Sequence, residues 1–437
     1  MKILHIYKDY PPILGGIENH VQLLAQGQAA AGHAVTVLVT NPAGRQTTVT
    51  NEQGVRVIRA GRLATVASTP LSVALPWQLL RQRPDVVHLH YPYPVGEVCQ
   101  WLLRRGRVTV LSYHADIVRQ ASILRLYKPL LRRVLHRVDA IIIGSPPMRG
   151  GAFLGEHQAK LRLIPYGIPL ERFRAEPSAA DLARLSAQLA AAFPHAAATS
   201  ATEPASMGPV KNNFPHTAGR DLCEAPGGVG AASADEKTYT FTDPKDADSA
   251  PPPLPSPAPP LLLFVGRLRY YKGLDTLIQA LPNLRAQLVV VGIGPMAAEW
   301  KALAERVGVA GQIAWLGEAP DADLPVLYHL ADLFVLPASH SSEAFGLVQV
   351  EAMAAGVPSV CTELGTGTSY VNQDGVTGRV VPPRDPSALA AAINDLLADP
   401  ARRAAMSASA RARVAAEFDL GVMVGRVLAL YEQLLKS

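Results

Sequence analysis

Two glutamates eight residues apart, Glu343 and Glu351, stand in "SSEAFGLVQVEAMAAGVPSV" (residues 341–360), which is otherwise largely apolar. Leu347, Val348, Val350, Met353 and Ala354 cover most of the surface of the helix this spacing predicts, so the helix is expected to be buried. A carboxylate in such surroundings is costly unless something hydrogen-bonds it, and either the protein or a ligand must supply that partner. The preceding run "DLFVLPASHSSEAFG" reads as a buried strand, a loop and a helix opening near Phe345 or Gly346, which puts Glu343 on the loop at the strand's carboxyl end. Free N–H groups of Gly346 and Leu347 would form an anion site beside it. Glu351, more than one turn deeper, could reach the same cleft. A carboxylate accepts two hydrogen bonds at once, which suits a vicinal diol of a sugar or ribose. The competing assignment uses Glu343 to cap the helix and pairs Glu351 with a core Arg or Tyr; these residues alone do not choose.

Other residues of the right type stand at strand ends. In "FVGRLRYYKGLDTL", Arg267 directly follows a buried strand and Lys272 precedes the helix opened by Gly273. Two cations so placed can clamp a diphosphate, although surface Arg and Lys in loops are usually only solvated. "YPPILGGIENH" puts Gly15 and Gly16 between the first strand and first helix, where the backbone could approach a phosphate closely. "LSYHADI" ends a strand at His114, a position that could face a cleft or be purely structural. Two patterns carry little. "VVVGIGP" has half a dinucleotide fingerprint, and the Asp-Ala-Asp triplets at 246–248 and 321–323 fall in a low-complexity stretch and at an acidic helix start.

The elements that must hold these residues form two similar halves. "KILHIY", "AVTVLVT", "DVVHLH", "RVTVLSYH", "AIIIGS" and "LRLIPYG" alternate with helical patterns, and "LLLFVGRL", "AQLVVVGIG", "QIAWLGEA", "DLFVLPAS" and "PSVCTE" repeat the plan. Continuous apolar strands between helices predict two doubly wound parallel sheets, with ligands beyond the strands' carboxyl ends. We expect one domain over 1–174, an insertion over 175–260 and a second domain over 261–437. The 86 residues of the insertion hold 21 Ala and 14 Pro and end in "PPPLPSPAPP". "SAADLARLSAQLAAAF" could form one helix there, and about 195 to 260 reads as largely disordered. Three scattered cysteines with no CxxC argue against a disulfide framework or zinc site. No apolar run is long enough to span a membrane, and the start is too short an apolar run for a signal peptide. Net charge is +5, yet residues 1–175 carry 22 Lys and Arg against 9 Asp and Glu. That surplus of 13 predicts an anionic partner for the first half.

Together these stretches resemble the GT-B retaining glycosyltransferases of glycosyltransferase family 4. Five motifs occur in order, "GGIENH", "SYHADI", "GRLRYYKG", "SSEAFGLVQVEAMAAGVP" and "DGVTGRVVPPRDP", with the family's E-x7-E spacing in Glu343 and Glu351. The resemblance implies a catalytic set of His114, Glu343, Arg267 and Lys272. Glu343 would hold donor-sugar hydroxyls beside the backbone of Phe345, Gly346 and Leu347, and Glu351 would accept from the ribose. Arg267 and Lys272 would neutralise the diphosphate, Gly15 and Gly16 would approach it from the other domain, and His114 would contact the donor sugar. Glu18 and His20 would lie nearer the acceptor. No covalent nucleophile is evident, no metal is expected, and front-face substitution with retained configuration is the implied route.

The resemblance implies transfer of a hexose, of mannose or glucose type, from a nucleoside-diphosphate sugar to a glycan or lipid-linked acceptor in polysaccharide or glycolipid assembly. A non-catalytic nucleotide-sugar-binding subunit and another GT-B enzyme, an epimerase or phosphorylase, are the alternatives. Where many relatives carry Gly-Gly followed by Glu, this chain has "ELGTGTSYVNQ", leaving Gly365, Thr366 and Gly367 to present backbone N–H groups. The last helix, "GVMVGRVLALYEQLLKS", crosses back to the first domain in relatives. "SILRLYKPLLRRVLHRV" mixes apolar residues with Arg125, Lys128, Arg132, Arg133 and Arg137, as a helix lying on an anionic membrane would. A solvated face over a core stripe explains it equally. The location implied is cytoplasmic, peripheral at the inner face of the membrane. No nucleic-acid motif accompanies the basic residues, so nucleic acid is not an expected partner.

Overall fold

The computed structural model describes residues 1–13, 15–66, 69–115, 121–193 and 259–437. The stretch expected to be disordered, and the acidic triplet at 246–248 within it, lie outside these residues.

In the first half, β1 (Lys2–Ile6) and β2 (Ala34–Thr40) are followed by β3 (Thr48–Glu52) and β4 (Val55–Ala60), then a small β5 (Ala64–Val66) and β6 (Thr69–Leu71). The later strands are β7 (Val86–Tyr91), β8 (Val108–Tyr113), β9 (Ala140–Ile143) and β10 (Leu161–Leu163). Eight of these make one sheet in the order β10-β9-β8-β7-β1-β2-β4-β3, while β5 and β6 form a separate pair. Every residue of β7 and β9 is buried, as expected of parallel strands covered on both faces. The sheet is not wholly parallel. β3 runs antiparallel to β4, joined through Gln53 (φ 49) and Gly54 (φ 81), a pair of left-handed residues whose twist matches a tight hairpin.

The second half holds β11 (Leu261–Val265), β12 (Gln287–Val291), β13 (Ile313–Gly317), β14 (Leu333–Leu336), β15 (Ser359–Thr362) and β16 (Gly378–Val381). Their order is β13-β12-β11-β14-β15-β16, parallel throughout. Chain order reverses direction between β1 and β7 in the first sheet and between β11 and β14 in the second. At such a reversal the flanking loops leave in opposite directions and open a crevice at the strands' carboxyl ends. Arg267, Lys272 and Glu343 come from the connections after β11 and β14, and Gly15 and Gly16 stand where the loop after β1 opens the helix Gly16–Ala30.

Two further helices tie the halves together. The helix Ala179–Ala192, opened by Ser178 accepting from the Asp181 N–H, buries Leu185 and Leu189 in the core of the second sheet. The last helix, Leu420–Lys436, buries Met423, Val424, Val427, Leu430 and Tyr431 in the core of the first sheet. Among the described residues no helix is long and apolar enough to cross a membrane.

Candidate active site

A cavity of about 730 Å³ lies between the two crevices, lined on one side by Tyr7, Lys8, Gly15, Gly16, Glu18, His20, His114 and Tyr166. Opposite stand Arg267, Arg269, Lys272, Glu343, Phe345, Gly346 and Leu347. The folding thus brings together residues more than 200 positions apart, and all four of His114, Glu343, Arg267 and Lys272 border the same space.

On the second-sheet side, Lys272 Nζ is 2.8 Å from a carboxylate oxygen of Glu343, an ion pair rather than an aligned hydrogen bond, and both residues are only 8% exposed. Burial works against the charge of Lys272, but Glu343 beside it outweighs that and holds the ammonium pKa above its ordinary value. Arg267 is exposed and, among the described residues, makes no ion pair or side-chain hydrogen bond, so its charge is available to the cavity. The approach of these loops is close. A Cβ on Gly273 would lie 2.0 Å from the Pro337 carbonyl oxygen, and one on Gly292 would lie 2.0 Å from that of Gly266. The glycines of "VVVGIGP" therefore serve backbone packing against the Arg267 loop, not a dinucleotide. Gly346, at φ 79, opens the helix Leu347–Ala355 with no side-chain cap on its first N–H groups.

Glu351 finds a protein partner. The Tyr328 hydroxyl donates to it at 2.7 Å, so the pairing with a core tyrosine is realised. Burial pushes the Glu351 carboxyl up to about 7, against the opposing pull of that hydrogen bond, Arg172 and Lys272. Glu351 is half-buried and is not among the residues that line the cavity, which on this helix are Leu347 and Val348. Each glutamate therefore has a protein partner, Glu343 in Lys272 and Glu351 in Tyr328.

The variant glycine loop also differs. Gly365 N–H donates to Glu363 at 2.7 Å and Gly367 N–H to the Ala344 carbonyl at 2.8 Å, so neither is free for a ligand. Thr366 Oγ1 donates to the Glu343 carbonyl at 2.8 Å, tying this loop to the Glu343 loop. Gly365 and Thr366 line a neighbouring cavity that shares His114 and Ser342 with the first.

On the first-sheet side, Glu18 folds back over the start of its helix; a Cβ on Gly15 would fall 2.1 Å from its carboxylate. Burial raises the Glu18 pKa. A Cβ on Gly16 would meet nothing within 4 Å. His114 follows β8 and is 3% exposed, with Nδ1 2.9 Å from the Tyr166 hydroxyl and Nε2 3.1 Å from Nδ1 of His90. His20 sits edge-on to His114 and to Tyr166, at 5.2 and 4.8 Å between ring centroids, and its Nδ1 has no partner. Tyr166 in turn meets Phe345 edge-on at 4.8 Å, joining the two halves across the cleft. His90 and Tyr166 did not stand out in the sequence. The signal was there: His-x-His in "DVVHLHYPY" puts two imidazoles on one face of a buried strand.

Ring nitrogens of His20, His90 and His114, and of His5, His88 and His90, lie within 4.8 Å of one another. Both nitrogens of His90 are already hydrogen-bonded, so a metal at either triad would have to break those bonds. Both aspartates of the second acidic triplet are in ion pairs: Asp323 with Arg184, and Asp321 with Arg172 at 3.4 Å.

Two doubly wound sheets facing across a cleft that presents Arg267, Lys272 and Glu343 opposite a Gly-Gly helix start define a sugar-nucleotide transferase of the GT-B class. Residues 14–172 match the family described as Glycosyltransferase Family 4, and residues 246–413 match Glycosyl transferases group 1. Over 441 residues, the whole of both chains, it is 30% identical to the O-antigen chain mannosyltransferase C of Escherichia coli. It is 31% identical to the D-rhamnosyltransferase WbpZ of Pseudomonas aeruginosa, across 94% of this chain and 91% of that protein. In fold it resembles sucrose-phosphate synthase from Thermosynechococcus elongatus, with a TM-score of 0.71, 23% identity and 100% and 99% of the two chains covered. The chain belongs to glycosyltransferase family 4, and it is an enzyme that uses a nucleotide-sugar donor.

Proposed function

We propose that this enzyme transfers a hexose of mannose type, with retained configuration, from a nucleoside-diphosphate sugar to a glycan or lipid-linked acceptor in polysaccharide assembly. The observation that carries the reading is the Lys272–Glu343 pair at the reversal point of the second sheet, facing the Gly15-Gly16 helix start across the cavity. In this assignment Arg267 and Lys272 take the diphosphate, whose charge grows as it leaves. Glu343 holds donor-sugar hydroxyls with the Phe345-Gly346-Leu347 backbone. Gly16, open beside the helix start, leaves room for the phosphates with Gly15 next to it, and His114 borders the sugar. Glu18 and His20 face the acceptor. Glu351, held by Tyr328, accepts from the ribose hydroxyls, and Gly365 and Thr366 act by bracing the Glu343 loop.

The chemistry is a substitution on one face of the sugar. The acceptor oxygen forms its bond to the anomeric carbon as the carbon–oxygen bond to the diphosphate breaks. The electron pair leaves on the phosphate oxygen, which takes the acceptor's proton. The names of the two mannosyl- and rhamnosyl-transferring relatives favour a mannose-type donor. The lipid-linked acceptor is favoured by the basic surplus of residues 1–175 and by Arg132, Arg133 and Arg137, which are exposed while Leu131, Val134 and Leu135 are buried. Any contact with an anionic membrane through this part of the helix is therefore electrostatic, and we place the enzyme at the inner face of the cytoplasmic membrane on that ground. The test is to supply nucleoside-diphosphate mannose, glucose and N-acetylglucosamine with a lipid-linked glycan acceptor and read the product by NMR. A glycoside with the donor's anomeric configuration is the expected result. Free epimer, sugar phosphate or an inverted product would contradict it.

A further inference from the structure

The histidines behind His114 form one hydrogen-bonded chain in which every link can be assigned a direction. β1 and β7 pair in parallel with His5 opposite His88, and His90 is two residues further along the same face. Nε2 of His5 is 2.7 Å from Oε1 of Gln28. An amide oxygen only accepts, so His5 carries its proton on Nε2. Burial lowers the pKa of His5 to about 4 and those of His88, His90 and His114 well below the ordinary value, so the rings are neutral. A neutral ring has one N–H. Nδ1 of His5 is therefore an acceptor, and His90 Nε2, 3.0 Å away, must donate to it. By the same rule His114 donates from Nε2 to His90 Nδ1 at 3.1 Å, and the Tyr166 hydroxyl donates to His114 Nδ1 at 2.9 Å.

On the other side of Gln28 the direction continues. Its Nε2 donates to the Tyr431 hydroxyl at 3.5 Å, Tyr431 donates to His88 Nδ1 at 2.5 Å, and His88 Nε2 donates to Ser112 Oγ at 2.7 Å. Gln28 is the pivot: turning its amide over would reverse every donor from His5 to His114, and His114 would then give a proton to Tyr166 instead of accepting one. The group that meets the amide nitrogen, Tyr431, sits on the last helix, which arrives from the second half of the chain.

We propose that Gln28 and Tyr431 are positioning residues: through His5 and His90 they fix His114 as the Nε2-protonated tautomer and hold its ring against Tyr166 at the cleft. The seating of the last helix is thereby linked to the wall of the site. The effect on transfer rests on the function proposed above; the tautomer itself does not.

The experiment uses the full-length protein with isotope-labelled histidine and long-range proton–nitrogen correlation spectra, His114 being assigned from His114→Gln. Wild type should show His114 protonated on Nε2. Tyr431→Phe, which removes one oxygen and keeps the ring, and Gln28→Leu should each turn His114 into a mixture of tautomers. Their kcat should fall about ten- to a hundred-fold with donor KM little changed, since small misplacements near reacting groups cost this much. In Gln28→Glu the carboxyl still accepts from His5, so His114 should keep the wild-type pattern and most of the rate lost in Gln28→Leu should return. Tyr431 would then donate to Glu and His88 would switch tautomer. His114 protonated on Nδ1 in wild type, or an unchanged His114 in both Tyr431→Phe and Gln28→Leu, would overturn the inference. The spectra need no sugar nucleotide, so the expected tautomers without transfer would count against the proposed function alone.

Discussion

Lys272 and Glu343, 71 positions apart in sequence, meet at 2.8 Å where the loops after β11 and β14 part. Each side chain is about one-tenth exposed, so neither charge is well solvated without the other. The pair places a cation and an acceptor side by side, as a donor needs if its diphosphate and sugar hydroxyls are read at adjacent points.

Removing one partner strands the other. Lys272→Ala should destabilise the second half by about 3–5 kcal/mol, because Glu343 would keep a buried, uncompensated charge. Pairing it with Glu343→Gln should recover much of that loss without restoring transfer. Urea unfolding of the two single variants and the double variant measures the coupling. The rate of Lys272→Ala should fall by about a hundred-fold or more, the usual cost of losing one group that stabilises leaving-group charge.

Glu351 gives the stability a pH slope. Its carboxyl titrates near 7 in the folded chain, above the ordinary 4.5, so the folded state holds a proton that the unfolded state has lost. Wild type should therefore lose stability relative to Glu351→Gln as pH rises from about 4.5 to about 7, with no further divergence above. Thermal unfolding of both proteins at pH 5, 6, 7 and 8 reads the difference. Parallel curves would place the shifted group elsewhere.

The last helix packs closely on the first. A Cβ on Gly27 would lie 2.5 Å from Cγ2 of Val424, a stiff β-branched side chain. Gly27→Ala should cost roughly 1–3 kcal/mol from overpacking, even though alanine favours a helix by about 1 kcal/mol. Val424→Ala in the same chain should relieve most of it. Additive effects in chemical unfolding would contradict the contact.

Much of this was legible in the chain. The parallel strands stand out as unbroken apolar runs such as "AIIIGS" and "DLFVLP", because burial on both faces leaves no polar alternation to obscure them. Arg267, Lys272, Glu343 and His114 each stand at a strand end, and strand ends are where the fold gathers its site. The β3–β4 hairpin was not anticipated, since "TVTNEQGVRV" is polar and mostly exposed and only Gln53-Gly54 marks the turn. Pairing is a different matter. That Lys272 meets Glu343, or that Tyr431 reaches His88 from 343 positions away, is set by how two sheets and a crossing helix pack. No local pattern encodes it.

The exposed arginines of the helix Ala121–Arg137 should be separable from catalysis. Replacing Arg132, Arg133 and Arg137 by Gln should weaken sedimentation with phosphatidylglycerol vesicles, most clearly at low salt, because these charges act through solvent. Transfer to a water-soluble acceptor should continue. Equal vesicle binding by the variant would show that other residues make the contact.

The most direct measurement is the binding of GDP, UDP and ADP to wild type, Arg267→Ala and Lys272→Ala, followed by thermal unfolding and calorimetry. Arg267 is exposed, so its loss leaves the fold intact and isolates the charge facing the cavity. At about 100 times the dissociation constant, a bound nucleotide should stabilise wild type by about 2.7 kcal/mol. One nucleoside diphosphate should do so, and Arg267→Ala should weaken its binding by about ten-fold or more. Absence of binding by wild type, or equal binding by both variants, would contradict a diphosphate site between the two sheets.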